Sequence, residues 1–337
     1  MKKVSLIIPC YNEEEVLPVL YERLNKVSKQ LIDYECEFLF INDGSKDRTE
    51  EIIEKFYMQD KRVKLYSFSR NFSQQAAISC GLHHSEGDIA ITIDADLQDP
   101  PEIIPDLIKM YEETKYPIIY CSRTSRKSEN FIKKITSKMF FKVINLFFDI
   151  KYKIENNSEF RLLDKKVIEA YKQFPENQKY IKGLINWMGF EQSIFKYEQQ
   201  ERAAGETKYS YIKLIKLALR AILSFSIKPL RISLLFGLIA ILVAVIFSLK
   251  IFYFYFFKPD TIVAGYSSTI ITILFMGGVQ LISLSVISEY LANMFNEVKK
   301  RPEYILKTVL TEQNRTEQNR TEQNRTEQNR TEQNRIR

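Results

Sequence analysis

The chain has 337 residues, of which 45% are apolar, and carries a net charge of +7. This length and apolar content allow a sizeable hydrophobic core, which excludes a disordered or fibrous protein. Nucleic acid is not an expected partner, because the basic residues form no patch interleaved with aromatic side chains and match no nucleic-acid-binding motif. The four cysteines lack the close pair spacings of zinc ribbons and redox motifs, so we expect them to be small core residues in a reducing compartment.

The first 210 residues alternate apolar runs with segments of helical length. The N-terminal sequence "MKKVSLIIPCYNEEE" has no small-residue cleavage site and turns acidic at once, so it predicts a first strand and not a signal peptide. The candidate strands are Val4 to Tyr11, Phe38 to Asp43, Val63 to Ser69, Asp88 to Asp96 and Ile118 to Arg123. This alternation predicts an α/β fold with a parallel, doubly wound sheet, in which ligands lie beyond the carboxyl ends of the strands.

Polar and acidic residues follow three of these strands. They are Asn12 and Glu13 after the first, Asp43 after the second, and Asp94 and Asp96 after the fourth. Neither a GxGxxG nor a GxxxxGK[ST] sequence occurs, so a diphosphate held by a metal ion is a better candidate ligand than one held by a glycine cradle. On an extended chain residues i and i+2 face the same way, so both aspartates would reach one Mg²⁺ or Mn²⁺ while Ala95 packs behind them. Taken alone, D-x-D is also typical of a solvated turn.

Two apolar segments follow the predicted α/β region. Ile232 to Phe257 contains one charged residue, Lys250, and Thr261 to Ser288 contains none, so each can cross a hydrocarbon core of about 30 Å as a helix. They predict a two-helix transmembrane hairpin, and the alternative is a pair of buried helices in a soluble protein. Because both outer flanks are basic, we expect both flanks to be cytoplasmic.

An amphipathic segment precedes this hairpin, and a polar repeat ends the chain. Residues 211 to 231 place Lys213, Lys216 and Arg220 on one helical side and apolar residues on another, which suits an amphipathic helix at a membrane surface or, alternatively, a solvated surface helix. At the C-terminus the pentapeptide TEQNR occurs five times from Thr311 to Arg335 without an apolar residue. We expect a disordered or transiently helical tail with no catalytic role.

Several segments of the chain, in their order, resemble a known family. The segments "IIPCYNEEE", "FINDGSKDRT", "SRNFSQQAAISCGL", "DADLQDPPE", "FRLLDKKV" and "ERAAGETKYS", then two apolar segments and "NEVKKRPEYIL", are similar in order to the polyprenyl-phosphate glycosyltransferases. That group belongs to glycosyltransferase family 2, has a GT-A fold, and includes dolichol-phosphate mannose synthase and the bactoprenol glucosyltransferases. The resemblance covers roughly residues 4 to 307. It implies a Rossmann-like, mostly parallel GT-A domain followed by the interfacial helix and the transmembrane hairpin.

The resemblance also implies roles for individual residues. A nucleotide pocket is implied at Pro9, Tyr11, Glu13, Asp43 and Asp94. Metal binding is implied at Asp94 and Asp96, and catalytic roles at Asp96, Glu159 and Arg161. Sugar and phosphate contacts are implied at Gln98, Arg123, Arg202 and Lys208. Alternatives remain for Pro9 and Tyr11, which could simply end a strand, and for Arg123, which could form a surface salt bridge.

One segment departs from the family pattern. Where relatives commonly have "D-x-G-D-F-R-L", this chain has "NNSEFRLL", so Glu159 stands at the position usually assigned as the catalytic base. A polyprenyl phosphate is already anionic near neutral pH, however, and its oxygen can attack without a strong base. Glu159 is then either a base or a group that only positions the acceptor or the metal.

The reaction expected from this resemblance is an inverting transfer of a hexose from a nucleotide sugar to undecaprenyl phosphate, with Mg²⁺ or Mn²⁺ as cofactor. UDP-glucose or another UDP-hexose is the expected donor, and UDP-GlcNAc and GDP-mannose remain open. Two alternatives are a processive polysaccharide synthase, which needs a Q-x-x-R-W motif that "QQERAA" lacks, and a membrane scaffold that has lost catalysis.

The expected organisation places this enzyme in the inner membrane as a multi-pass protein, with the catalytic domain and both termini in the cytoplasm. The bilayer is thus a further partner, and a homo-oligomer is expected because such hairpins often associate. The domain boundaries are 1–210 for the GT-A domain, 211–231 for the amphipathic helix, 232–292 for the transmembrane helices, 293–310 for a cytoplasmic segment and 311–337 for the repeat tail.

Overall fold

The computed structural model describes residues 1–123, 159–176, 179–198 and 265–315 except residue 313, together with isolated positions between 237 and 257. The chain divides into two compact units. The first contains Met1–Ser137, Ile150–Lys208 and Pro302–Arg337, and the second contains Lys138–Asp149 and Tyr209–Arg301.

The first unit contains eight described strands. These are β1 (Lys2–Cys10), β2 (Tyr34–Asn42), β3 (Val63–Phe68), β4 (Ile89–Thr92), β5 (Ile118–Arg123), β6 (Arg161–Asp164), β7 (Gln192–Tyr197) and β8 (Leu306–Leu310). Its described helices are α1 (Leu17–Gln30), α2 (Thr49–Gln59), α3 (Gln74–His84), α4 (Ile104–Thr114), α5 (Lys165–Lys172) and α6 (Ile181–Trp187), with a 3₁₀ turn at Pro101–Ile103. In the second unit, α7 extends over Tyr266–Val298.

The strands form one mixed sheet in the order β7-β5-β6-β4-β1-β2-β3-β8. The central strands β4, β1, β2 and β3 are mutually parallel, as the strand and helix alternation predicts. Strand β6 lies antiparallel between β4 and β5, and β8 lies antiparallel on the outer edge of β3. Consequently β1, β2, β4 and β5 all end at the same edge of the sheet, where β6 begins.

The two faces of the sheet carry alternate residues of each strand, in keeping with the two-residue period of a strand. Leu6 and Ile8 lie in a core cluster with buried residues of α1, α2 and α4. Helix α3 approaches the opposite set, since its Gly81 lies against Ile7 and Ile41. The central strands are therefore covered on both faces, which explains why their sequences are nearly continuous apolar runs.

Several sequence predictions are confirmed by this architecture, and others need correction. All four cysteines are buried and free. The five predicted strands are present, but β4 ends at Thr92 and not at Asp96, because the chain turns at Ala95 and Asp96. Strands β6, β7 and β8 were not predicted.

The membrane segments are described only in part. Within the described residues one helical stretch, Phe275–Val298, is long and apolar enough to cross a membrane, with a mean hydropathy of 1.3; this is a statement about length and composition. In the first predicted segment, positions such as Leu242 and Phe256 have helical backbone, and most of the segment lies outside the described residues. The two-helix hairpin remains a prediction, as does the amphipathic helix at 211–231.

The first TEQNR repeat packs against α2, which the sequence did not suggest. The Tyr57 hydroxyl donates to the backbone oxygen of Thr311 at 3.1 Å, and the Arg315 guanidinium lies 3.8 Å from the centre of the Tyr57 ring. Arg315 also donates to the backbone oxygen of Asp60 at 2.9 Å. The later repeats, from residue 316 onward, lie outside the described residues.

Candidate active site

Most of the predicted site residues meet at the edge of the sheet where β1, β2, β4 and β5 end. Burial raises the pKa of Cys10, the last residue of β1, and the negative charges of Glu13, Asp47 and Asp94 act in the same direction. Three different loops therefore bring carboxylates close enough to influence one thiol. This concentration of negative charge marks the edge as a site for a positively charged group.

The loops after β1 and β2 are tied together by hydrogen bonds. The backbone N–H of Asn12 donates to the Ser45 hydroxyl at 2.9 Å, and the backbone N–H of Lys46 donates to the Asn12 side chain at 2.8 Å. The backbone N–H of Glu13 donates to Thr49 at 2.9 Å. These bonds hold Tyr11, which is 43% exposed, with its ring available to a ligand, whereas Pro9 is buried inside β1.

Asp43 follows β2 and is buried, yet its carboxylate is well supported. It accepts hydrogen bonds from the backbone N–H groups of Phe72, at 2.6 Å, and of Ser73, at 3.1 Å. Burial raises its pKa, and these two N–H groups oppose the rise. Asp43 thus holds the loop between β3 and α3. Oδ1 accepts from both N–H groups, so Oδ2 is the oxygen that keeps a further acceptor position for a ligand such as a nucleotide base.

Asp94 and Asp96 lie beyond the end of β4, with Asp96 in a turn, and not on an extended strand, which corrects the geometry predicted for them. The Asp96 side chain accepts from the backbone N–H of Gln98 at 3.1 Å, and Leu97 has a positive φ of 59°. The i, i+2 alternation of a strand therefore does not orient these two aspartates. Ala95 is buried between them, as predicted.

A half-buried Arg123 forms an ion pair with the buried Asp99 beside this turn. An Arg123 guanidinium nitrogen lies 2.9 Å from Asp99, whose side chain is fully buried, and the Tyr197 hydroxyl donates to the same oxygen of Asp99. Arg123 also approaches the Gln98 side-chain oxygen at 3.4 Å. The salt bridge considered for Arg123 is therefore present, but it lies at the candidate site and not on an open surface.

The turn holds more negative than positive charge. Removal from water raises the pKa of Asp94 to about 7, and the charges of Asp99 and Asp96 add to the rise, against the charge of Arg123 and a hydrogen bond from Gln74. The second oxygen of Asp99 has no hydrogen-bond partner among the described residues. Three carboxylates against one guanidinium leave a net negative charge at the turn, and the carboxylate oxygens of Asp94 and Asp96 are the hard ligands that a divalent cation such as Mg²⁺ or Mn²⁺ prefers.

Across the described ranges, no group of three or more His, Cys, Asp and Glu side chains is arranged to hold a metal ion by itself. Mg²⁺ in nucleotide enzymes is commonly held by one or two carboxylates and completed by substrate phosphates and water. Asp94 and Asp96 therefore suit a cation that is bound together with a diphosphate.

Glu159 and Arg161 lie at the beginning of β6 and contact each other. Arg161 is fully buried, forms an ion pair with the Glu159 carboxylate, and lies with its guanidinium carbon 5.6 Å from the centre of the Tyr120 ring. Because Arg161 pairs with Thr92 of β4 in the sheet, Glu159 leaves the sheet at the same edge as Asp94. The Glu159 carboxylate is thus held against a buried arginine at this edge.

The structure adds three residues to the candidate site that the sequence analysis did not single out, and it does not describe two of the predicted ones. Gln74 contacts Asp94, and Asp99 and Tyr197 both contact Arg123. Asp99 and Gln74 stand within the quoted segments "DADLQDPPE" and "SRNFSQQAAISCGL", so their positions were the available signal, whereas nothing in the local sequence indicates Tyr197. Arg202 and Lys208 lie outside the described residues.

Comparison with known proteins places this site in a family. Residues 5–189 match the model of glycosyl transferase family 2. The chain is 42% identical over 308 residues to an uncharacterized glycosyltransferase of Synechocystis sp., covering 90% of this chain and 94% of that protein. It is 40% identical over 312 residues to a prophage bactoprenol glucosyl transferase homolog of Escherichia coli, covering 91% and 99%. It is also 40% identical over 310 residues to the bactoprenol glucosyl transferase of Shigella phage SfII, covering 90% and 97%.

Among solved structures, the chain is similar to a mannosyltransferase from Pyrobaculum calidifontis in complex with GDP-Man and Mn²⁺. The identity is 17%, the TM-score is 0.45, and the match covers 66% of this chain and 63% of that one. A similarity as low as this identifies neither the sugar donor nor the metal of this chain. The family match and the mostly parallel mixed sheet confirm the predicted GT-A fold, and the named relatives confirm the predicted transferase class. The chain is a glycosyltransferase that belongs to glycosyl transferase family 2.

Proposed function

We propose that this enzyme transfers a hexose, from UDP-glucose or another UDP-hexose, to undecaprenyl phosphate with inversion at the anomeric carbon. The observation that carries the proposal is the extent of the similarity to bactoprenol glucosyl transferases, which covers 90% of the chain at 40% identity. The general family model ends at residue 189, so this similarity includes the apolar segments beyond it. The product would be a lipid-linked sugar donor for modification of a surface glycan.

The nucleotide is proposed to bind across the ends of β1, β2 and β4. Tyr11 would offer an aromatic face and Asp43 a carboxylate to the base, with Glu13 beside them, while Asp94 and Asp96 would hold Mg²⁺ or Mn²⁺ at the diphosphate. When bound, that cation offsets negative charge on the leaving nucleoside diphosphate. Gln98 and Arg123, which contact each other, are proposed to face the sugar and its phosphates, together with Arg202 and Lys208.

In the proposed reaction a phosphate oxygen of the lipid attacks the anomeric carbon as the bond from that carbon to the diphosphate oxygen breaks. The nucleophile is already anionic, so no strong base is needed. The pairing of Glu159 with Arg161 favours a positioning role for Glu159 over a role as base. The residues of the site then act mainly by holding donor and acceptor in line.

The membrane organisation belongs to the same proposal. Two transmembrane helices and an amphipathic helix at 211–231 would keep the site at the cytoplasmic face, where the lipid phosphate lies. The apolar stretch Phe275–Val298 supports one of these helices. A multi-pass homo-oligomer with both termini in the cytoplasm is the arrangement we propose.

The first test is transfer from a panel of radiolabelled sugar nucleotides to undecaprenyl phosphate in detergent, with Mn²⁺ or with EDTA. We expect lipid-linked product from one donor, lost with EDTA and reduced about 10³-fold or more in Asp96→Asn, since charge stabilisation at the leaving group is a large catalytic term. Asp106→Asn, an exposed aspartate in the first turn of α4, is the matched control and should retain activity. Binding of a sugar nucleotide without turnover of any donor would contradict the proposal and favour a scaffold.

The role of Glu159 is tested by comparing Glu159→Gln with Asp96→Asn in the same assay. Because the acceptor is already anionic, we expect Glu159→Gln to lower kcat by less than about 100-fold, below the usual contribution of a general base. Equal losses in the two variants would show that a base is required after all.

A further inference from the structure

The first turn of α3 carries two adjacent glutamines that face different partners. The Gln74 side-chain amide donates to Oδ1 of Asp94 at 2.6 Å. The side-chain oxygen of Gln75 accepts from the backbone N–H of Ile181, the first residue of α6, at 3.2 Å. Gln74 therefore contacts the candidate metal ligand Asp94, whereas Gln75 links α3 to α6.

The position of Gln74 is set by the loop before it. Ser73 has a positive φ of 114°, a backbone conformation that non-glycine residues rarely adopt, and its N–H donates to Asp43. Asp43 follows β2 and Asp94 follows β4, and these strands lie on opposite sides of β1. The start of α3 thus connects the part of the edge proposed for the base to the part proposed for the diphosphate.

Asp94 and Asp99 accept hydrogen bonds from donors of different charge. Asp99 is paired with the guanidinium of Arg123, which neutralises it. Asp94 receives its bond from a neutral amide, which can orient a carboxylate without cancelling its charge. Asp94 is therefore oriented and still able to attract a cation, whereas Asp99 is committed to an ion pair.

We propose that Gln74 is a positioning residue of the donor site, whose amide N–H holds the Asp94 carboxylate in the orientation that receives the divalent cation of the sugar nucleotide. The proposal rests on the proposed function, because that function supplies the cation. Partners that orient a metal ligand in this way usually change metal affinity by about 10- to 100-fold when they are removed.

The test measures Mn²⁺ binding to the full-length protein in detergent with saturating UDP, from the loss of the free Mn²⁺ signal in electron paramagnetic resonance. Gln74→Met keeps the side-chain length without a donor, and Gln74→Asn keeps the amide but shortens its reach. We expect both to raise the Kd for Mn²⁺ by about 10- to 100-fold. Gln75→Met is the matched control and should change this Kd by less than about twofold, since Gln75 contacts α6.

Sugar transfer at increasing Mn²⁺ provides the second readout. If Gln74 acts through the metal ligand, the lost activity of its variants returns at high Mn²⁺, whereas damage to the fold would not be repaired in this way. Tight Mn²⁺ binding in both Gln74 variants, or equal weakening in Gln75→Met, would overturn the positioning role alone. Absence of Mn²⁺ binding in the wild type would instead overturn the metal-dependent function on which the role depends.

Discussion

Strained residues lie on the loops that build the candidate site. Asn12, Ser73 and Leu97 have positive φ angles of 56°, 114° and 59°, and they follow β1, β3 and β4. Such conformations cost of order 1–3 kcal/mol each and persist only where the surrounding contacts enforce them. Here the enforcing contacts include the bonds to Ser45, to Asp43 and within the Asp96 turn. The site is therefore preformed at the level of single residues.

Gly44 allows a first prediction at this scale. Its φ is +65°, and a Cβ there would lie 2.3 Å from the backbone carbonyl carbon of Arg70. We expect Gly44→Ala to lower the free energy of unfolding by about 2–4 kcal/mol, because the strain of a left-handed alanine is combined with a displaced loop. UDP binding should weaken as well, since Asp43 is adjacent. Urea unfolding and UDP titration measure the two effects.

Gly189 is the control for this substitution. Its φ is +71°, but the nearest atom to an added Cβ lies 4.0 Å away. Gly189→Ala should cost only the backbone strain, about 1 kcal/mol, and leave UDP binding unchanged. Equal effects at the two glycines would show that the close approach to Arg70 is unimportant.

At the scale of elements, helix α3 connects the site to the segment that follows α7. Near the site it contacts Asp94 through Gln74, and farther along it Ser79 donates to the Glu303 carboxylate at 2.7 Å and accepts from Tyr171 at 2.9 Å. The next residue, Tyr304, stacks on Phe68 of β3 with ring centres 4.9 Å apart. The residues just before β8 are thus fixed to the helix whose first turn contacts Asp94.

Glu303 makes this connection dependent on pH. Burial raises its pKa to about 7, against the Ser79 hydrogen bond and the charge of Lys179. The pKa of this carboxyl is near 4.5 in the unfolded chain and about 7 in the folded one. At a pH between these values the unfolded chain has released the proton and the folded chain still binds it. The stabilisation that the folded protein has at low pH is therefore lost as the pH rises through this range. We expect the free energy of unfolding of the wild type to fall by on the order of 2 kcal/mol across this pH range, relative to that of Glu303→Gln.

Urea unfolding at several pH values from about 5 to 8 measures this difference. Burial lowers the pKa values of the nearby His83 and His84, which act in the opposite direction but are shared by both proteins and cancel in the comparison. Parallel pH profiles for wild type and Glu303→Gln would show that Glu303 titrates normally.

At the scale of the whole molecule, the catalytic unit is not continuous in the chain. Residues 302 onward return to the first unit after the apolar helix α7, and β8 completes the sheet beside β3. Side-chain contacts support the pairing, since Lys307 and Thr308 reach Glu50 of α2 at 3.3 and 3.1 Å. An unpaired β3 would present an open sheet edge, which promotes aggregation.

Two truncations of the full chain test this organisation. A chain that ends after Arg301 keeps the apolar segments but lacks β8. We expect its free energy of unfolding to be lower by about 2 kcal/mol, which lowers its Tm by about 4–8 °C. We also expect this chain to aggregate. A chain that ends after Arg315 keeps β8 and the docked first repeat, and it should retain full transfer activity. Normal stability in the shorter chain would show that β8 is dispensable, and lost activity in the longer one would assign a role to the later repeats.

The amino-acid sequence by itself determined the features that depend on local pattern. Apolar runs separated by helical lengths predicted the parallel strands β1 to β5, and acidic residues at their ends predicted the site edge, because parallel strands end on one side of a sheet. The ordered motifs predicted the family, which comparison confirmed. Membrane topology, the donor sugar, the metal ion and the roles of the individual site residues remain predictions.

Only the tertiary structure decided the contacts that join distant segments. Strand β8 pairs with a strand more than 200 residues away, and β6 inserts between β4 and β5, which no local period indicates. The same holds for the Arg123 pair with Asp99, the burial of Arg161 and the Gln74 bond to Asp94. Long-range pairing and burial depend on the packing of the whole sheet, whereas strand periodicity and residue type at a strand end are properties of a short stretch of chain.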